Sequence, residues 1–361
     1  KGDEGGRYPL TGVGDVNTYA LFAETISQIV ARHGRAGFIV PTGIATDDTT
    51  KAFFGFLVRT KMLAGLVSFF EVRKWFPATD DRKSFCLLTI GTSEMPRFIF
   101  DIKAIDDLRQ EERWYALTPA DFQCLNPNTL TLPTFRSRMD AELTRRIYQR
   151  VPVLIREGRD GQPEQNPWGI SFMRMFDMSN DSHLFLDSGG EGKLPLYEAK
   201  MIHQFDHRWA SYRVDDGKDV ADDVPLTDKQ KPDFSVTPRY WVDEAEVRQR
   251  LADKGWERHW LLGFRDICRA TDERTVIANL MPIAGVGNKA PLLFCRENIS
   301  PVQTAGLLAN LTALAFDFAA RQKIGGTTLN YFLFKQLPVL SPEHYTEIDL
   351  AFILPRVLEL T

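Results

Sequence analysis

Residues 65–90 read GLVSFFEVRKWFPATDDRKSFCLLTI, and this stretch decides how the first part of the chain is interpreted. Two apolar runs, Leu66–Val72 and Phe85–Ile90, flank a polar segment that carries Trp75-Phe76-Pro77. Strands favour β-branched and aromatic residues, so the pattern predicts a long β-hairpin. The aromatic rings between the strands are expected either to be exposed at the hairpin end or to be ordinary core residues.

The segments before the hairpin predict a helix, a strand and a second helix. Asn17–His33 has apolar residues at helical spacing. Ala36–Val40 is a continuous apolar run stopped by Pro41, which is typical of a strand buried on both faces of a mostly parallel sheet. A second helix is expected to follow, capped by Thr46 or Asp47.

Helix, strand, helix and hairpin in this order predict an α/β fold, specifically the second half of a doubly wound sheet. Such sheets bind their ligands at the carboxyl ends of the strands. Pro41-Thr42-Gly43 and Trp75-Phe76-Pro77 are therefore expected to lie on the same rim of the sheet.

The bulk composition is that of an ordinary globular protein of about two domains. The 361 residues are 43% hydrophobic and 25% charged, and the formal net charge is −4. No run of about 18 apolar residues occurs, so no membrane span is expected. The four cysteines form no C-x-x-C pair, which predicts reduced thiols, a cytoplasmic location and no zinc site. Because the chain begins with Lys1 rather than Met, we expect it to be a piece of a longer polypeptide.

Three segments resemble, in order, the rear half of the gamma-class N6-adenine DNA methyltransferases. They are NTYALFAE at 17–24, GRAGFIVP at 34–41, and KWFP at 74–77 with KSFCLLTI at 83–90. The resemblance implies S-adenosylmethionine as cofactor, with Phe22 beside its adenine and Pro41 at the end of the fifth strand. It also implies that Phe76, followed by Pro77, stacks on a target adenine extruded from the DNA, a step that needs an aromatic or apolar surface. The alternatives are a simple helix-core residue for Phe22 and a plain strand terminator for Pro41.

Two motifs of that family are missing from residues 1–361. These are the cofactor loop F-x-G-x-G and the catalytic N-P-P-Y. Asn126-Pro127-Asn128 and Asn166-Pro167-Trp168 lack the second proline and are predicted to be turns. The full-length protein is therefore expected to be an adenine-specific DNA methyltransferase. This part alone is expected to be inactive and not to bind S-adenosylmethionine.

The sequence predicts three parts. Residues 1–100 would be the C-terminal half of the catalytic domain, 101–150 a helical connector, and 151–361 an α+β DNA target-recognition domain with a C-terminal helix and tail. Five arginines of the connector are interpreted as a solvated helix face paired with Asp140 and Glu142, rather than as phosphate contacts. They are Arg136, Arg138, Arg145, Arg146 and Arg150.

Residues 195–213, PLYEAKMIHQFDHRWASYR, concentrate side chains able to contact DNA. Lysine and arginine can contact phosphate or guanine, and glutamine can pair with adenine. The candidates are Lys200, His203, Gln204, His207, Arg208 and Arg213. The two histidines are four residues apart, as a metal pair on a helix would be. No metal site is predicted, since Gln204 stands where H-E-x-x-H needs Glu and no third ligand is evident. Residues 215–232 are acidic and predict a mobile loop.

Longer strings resemble the target-recognition region of large adenine methylases, those of type IIG restriction–modification enzymes and related phage-defence systems. They are NDSHLF (180–185), PLYEAKMIHQFDHR (195–208), GFRDICRATDERT (263–275) and RQKIGGTTLNYFLFKQLP (321–338). The resemblance implies double-stranded DNA as partner and allows a fused or separate nuclease. The alternative is a non-catalytic DNA-specificity subunit, which the predicted helix–strand–helix–hairpin of residues 17–90 disfavours.

Overall fold

The computed structural model describes residues 6–14, 16–71, 75–77, 84–159 and 161–361. The chain forms two compact units, Lys1–Glu164 with Gln322–Gly325, and Gln165–Arg321 with Gly326–Thr361. The division falls between Glu164 and Gln165, whereas the sequence-based boundary lies between residues 150 and 151. The functional assignment of the parts stays a prediction.

The first unit is a five-stranded sheet with helices packed around it, and the predicted α/β class is confirmed. Its strands are β1 (Ala36–Pro41), β2 (Leu63–Phe70), β3 (Ser84–Ile90), β4 (Arg97–Ile102) and β5 (Tyr115–Ala116). Its helices are α1 (Thr18–Ile29), α2 (Gly43–Thr46), α3 (Lys51–Arg59), α4 (Pro119–Leu125) and α5 (Arg138–Arg150). The strand order is β1-β3-β2-β4-β5.

The predicted hairpin is confirmed by the antiparallel pairing of β2 with β3, which runs from Leu63 opposite Ile90 to Phe70 opposite Ser84. Val72, expected at the end of the first strand, lies outside the described residues. β3 lies between β1 and β2 in the sheet. One face of β3 is buried through Cys86, Leu88 and Ile90, whereas Leu87 on the other face is exposed.

The prediction that residues 36–40 form a doubly buried strand of a mostly parallel sheet is wrong for the described sheet. β1 is an edge strand that pairs with β3 alone, antiparallel, and Gly37, Ile39 and Pro41 are exposed. Of the four strand pairings in this described sheet, only that of β2 with β4 is parallel. β1 and β2 nevertheless run in the same direction on either side of β3, since both pair with it antiparallel. The doubly wound arrangement stays a prediction.

A buried turn holds the predicted Asn126-Pro127-Asn128 segment. Residues 126–133 are all buried, and the Asn126 side chain donates to the Thr131 carbonyl at 2.8 Å. The Asn128 side chain donates to the Ile155 carbonyl at 2.9 Å. Asparagine caps its own loop in this way because a buried backbone carbonyl needs a donor. The turn prediction is confirmed here.

Two arginines of α5, Arg138 and Arg145, have other partners than those predicted from the sequence. Arg145 forms an ion pair with Asp121 of α4 at 2.9 Å. Arg138 donates to the backbone carbonyls of Trp114 and Glu111 at 3.2 and 3.0 Å. These arginines thus hold α5 against neighbouring segments of the first unit.

The second unit contains three small sheets, in agreement with the α+β prediction. Their strand orders are β10-β7-β13, β12-β11-β14-β6 and β8-β9. The strands are β6 (Ser171–Met173), β7 (Lys193–Tyr197), β8 (Ala210–Asp215), β9 (Lys218–Asp223), β10 (Trp241–Asp243), β11 (Trp260–Phe264), β12 (Ala278–Pro282), β13 (Gly285–Val286) and β14 (Leu292–Phe294). A shared core includes Phe176, Leu196, Val242, Leu261 and Leu292.

The helices of the second unit are α6 (Leu226–Lys229), α7 (Glu244–Ala252), α8 (Pro301–Thr312), α9 (Leu314–Arg321), α10 (Tyr331–Phe334) and α11 (Glu347–Leu360). α8 and α9 are separate helices because Ala313 between them is extended, with ψ at 144°. Among the described residues, no single helix is long and apolar enough to cross a membrane. Of the described helices, only α8 and α9 taken together are long and apolar enough, and the two helices are bent by 52° relative to each other.

Residues 215–232, predicted as a mobile acidic loop, begin with an ordered hairpin. β8 and β9 pair in register from Ala210 opposite Asp223 to Asp215 opposite Lys218. Asp216 and Gly217 connect them with positive φ values of 46° and 72°. Asp-Gly is a preferred two-residue hairpin turn because both residues tolerate this backbone region. The many acidic residues of this segment favoured the prediction of a mobile loop over that of a hairpin.

Candidate functional site

The carboxyl ends of β1 and β2 meet the start of β3 at one rim of the first sheet. Phe85 of β3 lies opposite Pro41 on one side and opposite Phe69 on the other. The Thr42 amide donates to the Ser84 carbonyl at 3.1 Å, which continues the ladder past the end of β1. The structure therefore places the Pro41-Thr42 and Trp75-Phe76 segments on the same rim, as expected.

Four aromatic rings form a cluster at this rim. Phe69 and Phe85 are stacked with centroids 5.1 Å apart and an interplanar angle of 4°. Trp75 lies edge-on to Phe69 at 5.6 Å, and Phe76 lies edge-on to Phe85 at 5.0 Å. Phe69 is 5% exposed, whereas Phe76 is 39% exposed and Pro77 is exposed as well. Phe76 is thus the outermost ring of the cluster, and it packs against Phe85.

A buried carboxylate lies under this aromatic segment. Glu71, just past the end of β2, is 1% exposed, and its Oε1 accepts the Phe76 amide at 3.3 Å. Its Oε2 has no hydrogen-bond partner among the residues that the structure describes. Glu71 was not among the residues predicted from the sequence. The available signal was a charged residue inside the otherwise largely apolar run Leu66–Val72, where burial is costly unless the group is bonded.

Small polar groups complete the inner side of the rim. The hydroxyls of Thr42 and Ser68 are 3.1 Å apart and buried. Beside them is Cys86, fully buried, and burial raises the pKa of its thiol to about 12. This thiol is therefore neutral and unsuited to nucleophilic attack at ordinary pH.

The two residues that the family resemblance assigns to the cofactor are both solvent-exposed. Phe22, on α1, is 68% exposed, and Pro41 ends β1 with its side chain exposed. On the same helix Tyr19 is half-buried, and burial raises its pKa, with the Asp47 charge adding to the effect. Phe22 and Pro41 offer apolar surface of the kind an adenine ring packs against. Neither can bind a charged methionyl group, so the residues present fit one side of S-adenosylmethionine only.

In the second unit, residues 195–213 do not form the helix on which a histidine pair was considered. β7 is followed by a tight turn in which His203 and Asp206 exchange backbone hydrogen bonds of 2.7 and 3.0 Å. Phe205, inside this turn, has a positive φ of 63°. The described residues contain no group of three or more His, Cys, Asp or Glu side chains that could hold a metal ion.

The predicted DNA-contacting residues of this segment have different surroundings. Lys200 is exposed, with its ammonium 5.0 Å from the centre of the Tyr212 ring. The Gln204 side chain donates to the Thr312 carbonyl at 2.8 Å. Arg213 is bound between Asp215 and Asp222. Arg208 is half-buried and forms no ion pair within the described part of the chain. Lys200 and Arg208 are therefore the cations best placed to contact a ligand.

The two histidines face protein rather than open solvent. His203 packs against Trp209, with ring centres 4.3 Å apart. His207 lines an apolar cavity of about 340 Å³ with Trp260, Leu280 and Leu358, and its Nδ1 has no hydrogen-bond partner in the described residues. Burial lowers the pKa of His207, and the Arg208 charge lowers it further. Burial also lowers the pKa of His203, and the Arg265 charge adds to this effect, so at neutral pH both histidines are disfavoured as cationic phosphate contacts.

A larger cavity, about 500 Å³, lies in the first unit against β5 and α5. Its wall includes Trp114, whose ring carries the Arg97 guanidinium at 4.9 Å, and the ion pair of Arg145 with Asp121. None of the residues predicted to be functional lines it.

No protein-family model matches the sequence, and no curated protein is similar to it. Among solved structures, the chain is similar to the type IIG restriction endonuclease BpuSI, with 12% identity over 97% of this chain and 45% of that one, at a TM-score of 0.36. It is similar to the type IIL restriction–modification enzyme MmeI in complex with DNA, with 7% identity over 96% and 52%, at 0.40.

A third similar structure is the HsdS subunit from Thermoanaerobacter tengcongensis, with 14% identity over 62% of this chain and 47% of that one, at a TM-score of 0.24. The chain spans about half the length of each of these three proteins.

Proposed function

We propose that this chain is the rear part of an adenine-specific DNA methyltransferase of a restriction–modification or phage-defence system, and that it carries DNA target recognition. The observation that carries the proposal is Phe76. It is a half-exposed aromatic ring at the carboxyl ends of two strands that run in the same direction, within a cluster of four aromatic rings. In doubly wound sheets, which the family resemblance implies for this chain, ligands bind at that rim.

Phe76 would hold an extruded adenine by stacking. Base–aromatic stacking contributes about 1–3 kcal/mol and needs a ring held at a defined angle. The Phe76 ring packs edge-on against the ring of Phe85, and the Phe76 backbone amide donates a hydrogen bond to Glu71. Both the side chain and the backbone of Phe76 are therefore positioned before a base binds. Pro77 further restricts the backbone at this point.

The strand arrangement supports the same proposal. β2 and β3 form an antiparallel hairpin, which is what the family resemblance implies for this part of the sheet. The outer edge of β1 is unpaired in the described residues, with Ile39 54% exposed. A strand edge with exposed apolar residues favours pairing with a further strand. A continuing sheet is what the doubly wound arrangement requires.

S-adenosylmethionine would supply the methyl group in the full-length enzyme. Within this chain, Phe22 and Pro41 would contribute apolar surface for its adenine ring. The family's remaining cofactor and catalytic motifs do not occur in residues 1–361. We therefore assign to this chain the positioning of the target base and the reading of DNA, with double-stranded DNA as partner and the cytoplasm as location. A nuclease, fused or separate, would complete a restriction system.

The test uses the full-length protein that contains these residues. Plasmid DNA is incubated with the protein and S-adenosylmethionine, and N6-methyladenine is measured by mass spectrometry of the digested DNA. Methylation confined to one sequence motif is the expected result. Sequence-specific DNA binding without methylation would instead support the alternative, a non-catalytic specificity subunit. No specific binding at all would contradict both.

A further inference from the structure

A cluster of charged residues lies at one end of the four-stranded sheet of the second unit. Arg174 directly follows β6, Asp266 follows β11, and Lys289 precedes β14. Leu292 of β14 lies opposite Met173 of β6 and opposite Gly263 of β11. Because β14 is antiparallel to both neighbours, its start meets their ends. The topology thus brings together three residues that are far apart in sequence.

Asp266 is the buried centre of this cluster. It is 0% exposed, and neither carboxylate oxygen has a hydrogen-bond partner among the described residues. Its Oδ2 lies 3.7 Å from Arg174 Nη2 and 3.5 Å from Lys289 Nζ. Burial raises the pKa of Asp266 although both cations oppose the shift. The carboxylate is therefore incompletely satisfied by its own protein.

The two cations reach solvent, unlike the carboxylate between them. The Arg174 side chain is 43% exposed and that of Lys289 is 51% exposed. Their contacts to Asp266 are longer than the roughly 2.7–2.9 Å of a tight charge-assisted hydrogen bond. Arg174 and Lys289 therefore keep N–H donors that are not bonded to Asp266. The negative charge of Asp266 also reduces the electrostatic repulsion between these two cations.

An aromatic platform fixes the orientation of Arg174. Its guanidinium lies 5.1 Å from the centre of the Tyr331 ring, which is stacked on Phe172 at 4.7 Å with an interplanar angle of 28°. The Tyr331 hydroxyl is buried beside this guanidinium. A guanidinium stacked on an aromatic ring is planar, oriented and weakly hydrated, and loses little freedom on binding.

We propose that Arg174 and Lys289 form a guanine-reading contact to duplex DNA, with Asp266 and Tyr331 as the residues that position them. This inference rests on the proposed role of the second unit in target recognition. Guanine presents two acceptors, O6 and N7, in the major groove, and arginine or lysine donors are their commonest specific partners. A phosphate contact needs only a flexible charge. A buried acid and an aromatic ring under the arginine instead favour readout of a base edge.

The experiment uses full-length protein and a library of short DNA duplexes with a randomised central segment, selected by binding and sequenced. The variants are Arg174→Ala, Arg174→Lys, Lys289→Ala and Asp266→Asn. Arg239→Ala is the matched control, because Arg239 is similarly exposed (41%), pairs with Asp219 and stacks on Tyr240. Melting temperatures are recorded for every variant.

Wild-type protein is expected to enrich a motif containing G·C pairs. Arg174→Ala and Arg174→Lys should each lose preference at one such pair, with affinity for the selected motif falling about 5- to 150-fold. Lys289→Ala should also lose preference at a G·C pair, and Asp266→Asn should weaken the same preference. Arg239→Ala should behave as wild type. Arg174→Lys keeps the charge and preserves a folded protein in case the alanine variant is unstable.

Two outcomes would overturn this inference while leaving the proposed function intact. Equal loss of affinity for all sequences, with a smaller salt dependence, would make these residues phosphate contacts. Unchanged selection with a lower melting temperature would make the cluster a structural ion-pair network. Failure of wild-type protein to bind any duplex would reject target recognition itself.

Discussion

The ring of Phe76 lies edge-on to the ring of Phe85, with centroids 5.0 Å apart and an interplanar angle of 78°. Phe85 belongs to the middle strand of the β1-β3-β2 arrangement and is itself stacked on Phe69. Phe76 nevertheless keeps 39% of its surface exposed, so part of its ring can be reached by a base. This relationship underlies the first prediction.

Phe76→Ala in the full-length enzyme should lower catalytic efficiency by about 5- to 150-fold, because the lost stacking contributes about 1–3 kcal/mol. Phe76→Trp should retain much of the activity, since it keeps an aromatic face. Methylation rates and melting temperatures are measured together. The control is Phe69→Ala, which removes a 5% exposed ring and should cost about 3–5 kcal/mol of stability. A loss of stability as large for Phe76→Ala would contradict the assignment.

Residues 1–361 alone should show no measurable binding of S-adenosylmethionine. Phe22 and Pro41 offer apolar surface but no partner for the charged part of that molecule, and the F-x-G-x-G loop is not in this sequence. Isothermal calorimetry on this chain and on the full-length protein makes the comparison. A micromolar dissociation constant for the chain alone would show that its site is more complete than proposed.

Arg208→Ala should weaken DNA binding by about 1–3 kcal/mol if the side chain reads a base. The matched control is Arg213→Ala in the same segment, because Arg213 is already bound by Asp215 and Asp222. We expect the control to change affinity much less. Fluorescence anisotropy with a target duplex and a scrambled duplex measures both. A uniform loss would indicate a phosphate contact, and lost thermal stability without a change in binding would indicate a structural role.

The first unit should become more stable relative to a Lys323→Met variant as pH rises from neutral towards 10. Lys323 is buried, donates to the Leu125 carbonyl and to Asn126 Oδ1, and lies 4.4 Å from the Tyr148 ring centre. Burial lowers the pKa of its ammonium well below the ordinary 10.5. Between the folded and unfolded pKa values the unfolded chain binds more protons, so the free energy of unfolding rises with pH.

Urea unfolding of both proteins across this pH range provides the measurement. The variant should be less stable at every pH, because Leu125 and Asn126 lose a donor. Comparing the two proteins cancels the opposite effect of buried thiols such as Cys86, whose pKa of about 12 lowers stability above the pKa of an exposed thiol. A stability difference that does not change with pH would refute a depressed pKa for Lys323.

The local elements of the candidate rim were predictable because they depend on short-range patterns. The spacing of apolar residues indicated α1, and two apolar runs around a polar segment indicated β2 and β3. Pro41 and Phe76 could be placed on one rim because the connectivity requires it. The Asp216-Gly217 turn was also visible in the sequence, but it was obscured by the surrounding aspartates.

The environment of each side chain was less predictable. A continuous apolar run does not distinguish a central strand from an edge strand, so β1 was expected to be buried. Of the cations in residues 195–213, the sequence could not show that Arg213 is paired with Asp222. Asp222 lies opposite Ser211 in the hairpin, and the pairing of β8 with β9 brings it next to Arg213. The sequence likewise could not show that His203 packs against an aromatic ring and that His207 lines an apolar cavity.

The sequence by itself determined the hairpin, the helix before it and the aromatic residues between the strands, because hydrophobic periodicity acts over a few residues. Only the tertiary structure placed Glu71 under Phe76 and assembled Asp266 with Arg174 and Lys289. Residues 174, 266 and 289 meet because strands distant in sequence end at the same side of a sheet. Which of their charges are buried and which reach solvent depends on that packing, and no local pattern in the sequence records it.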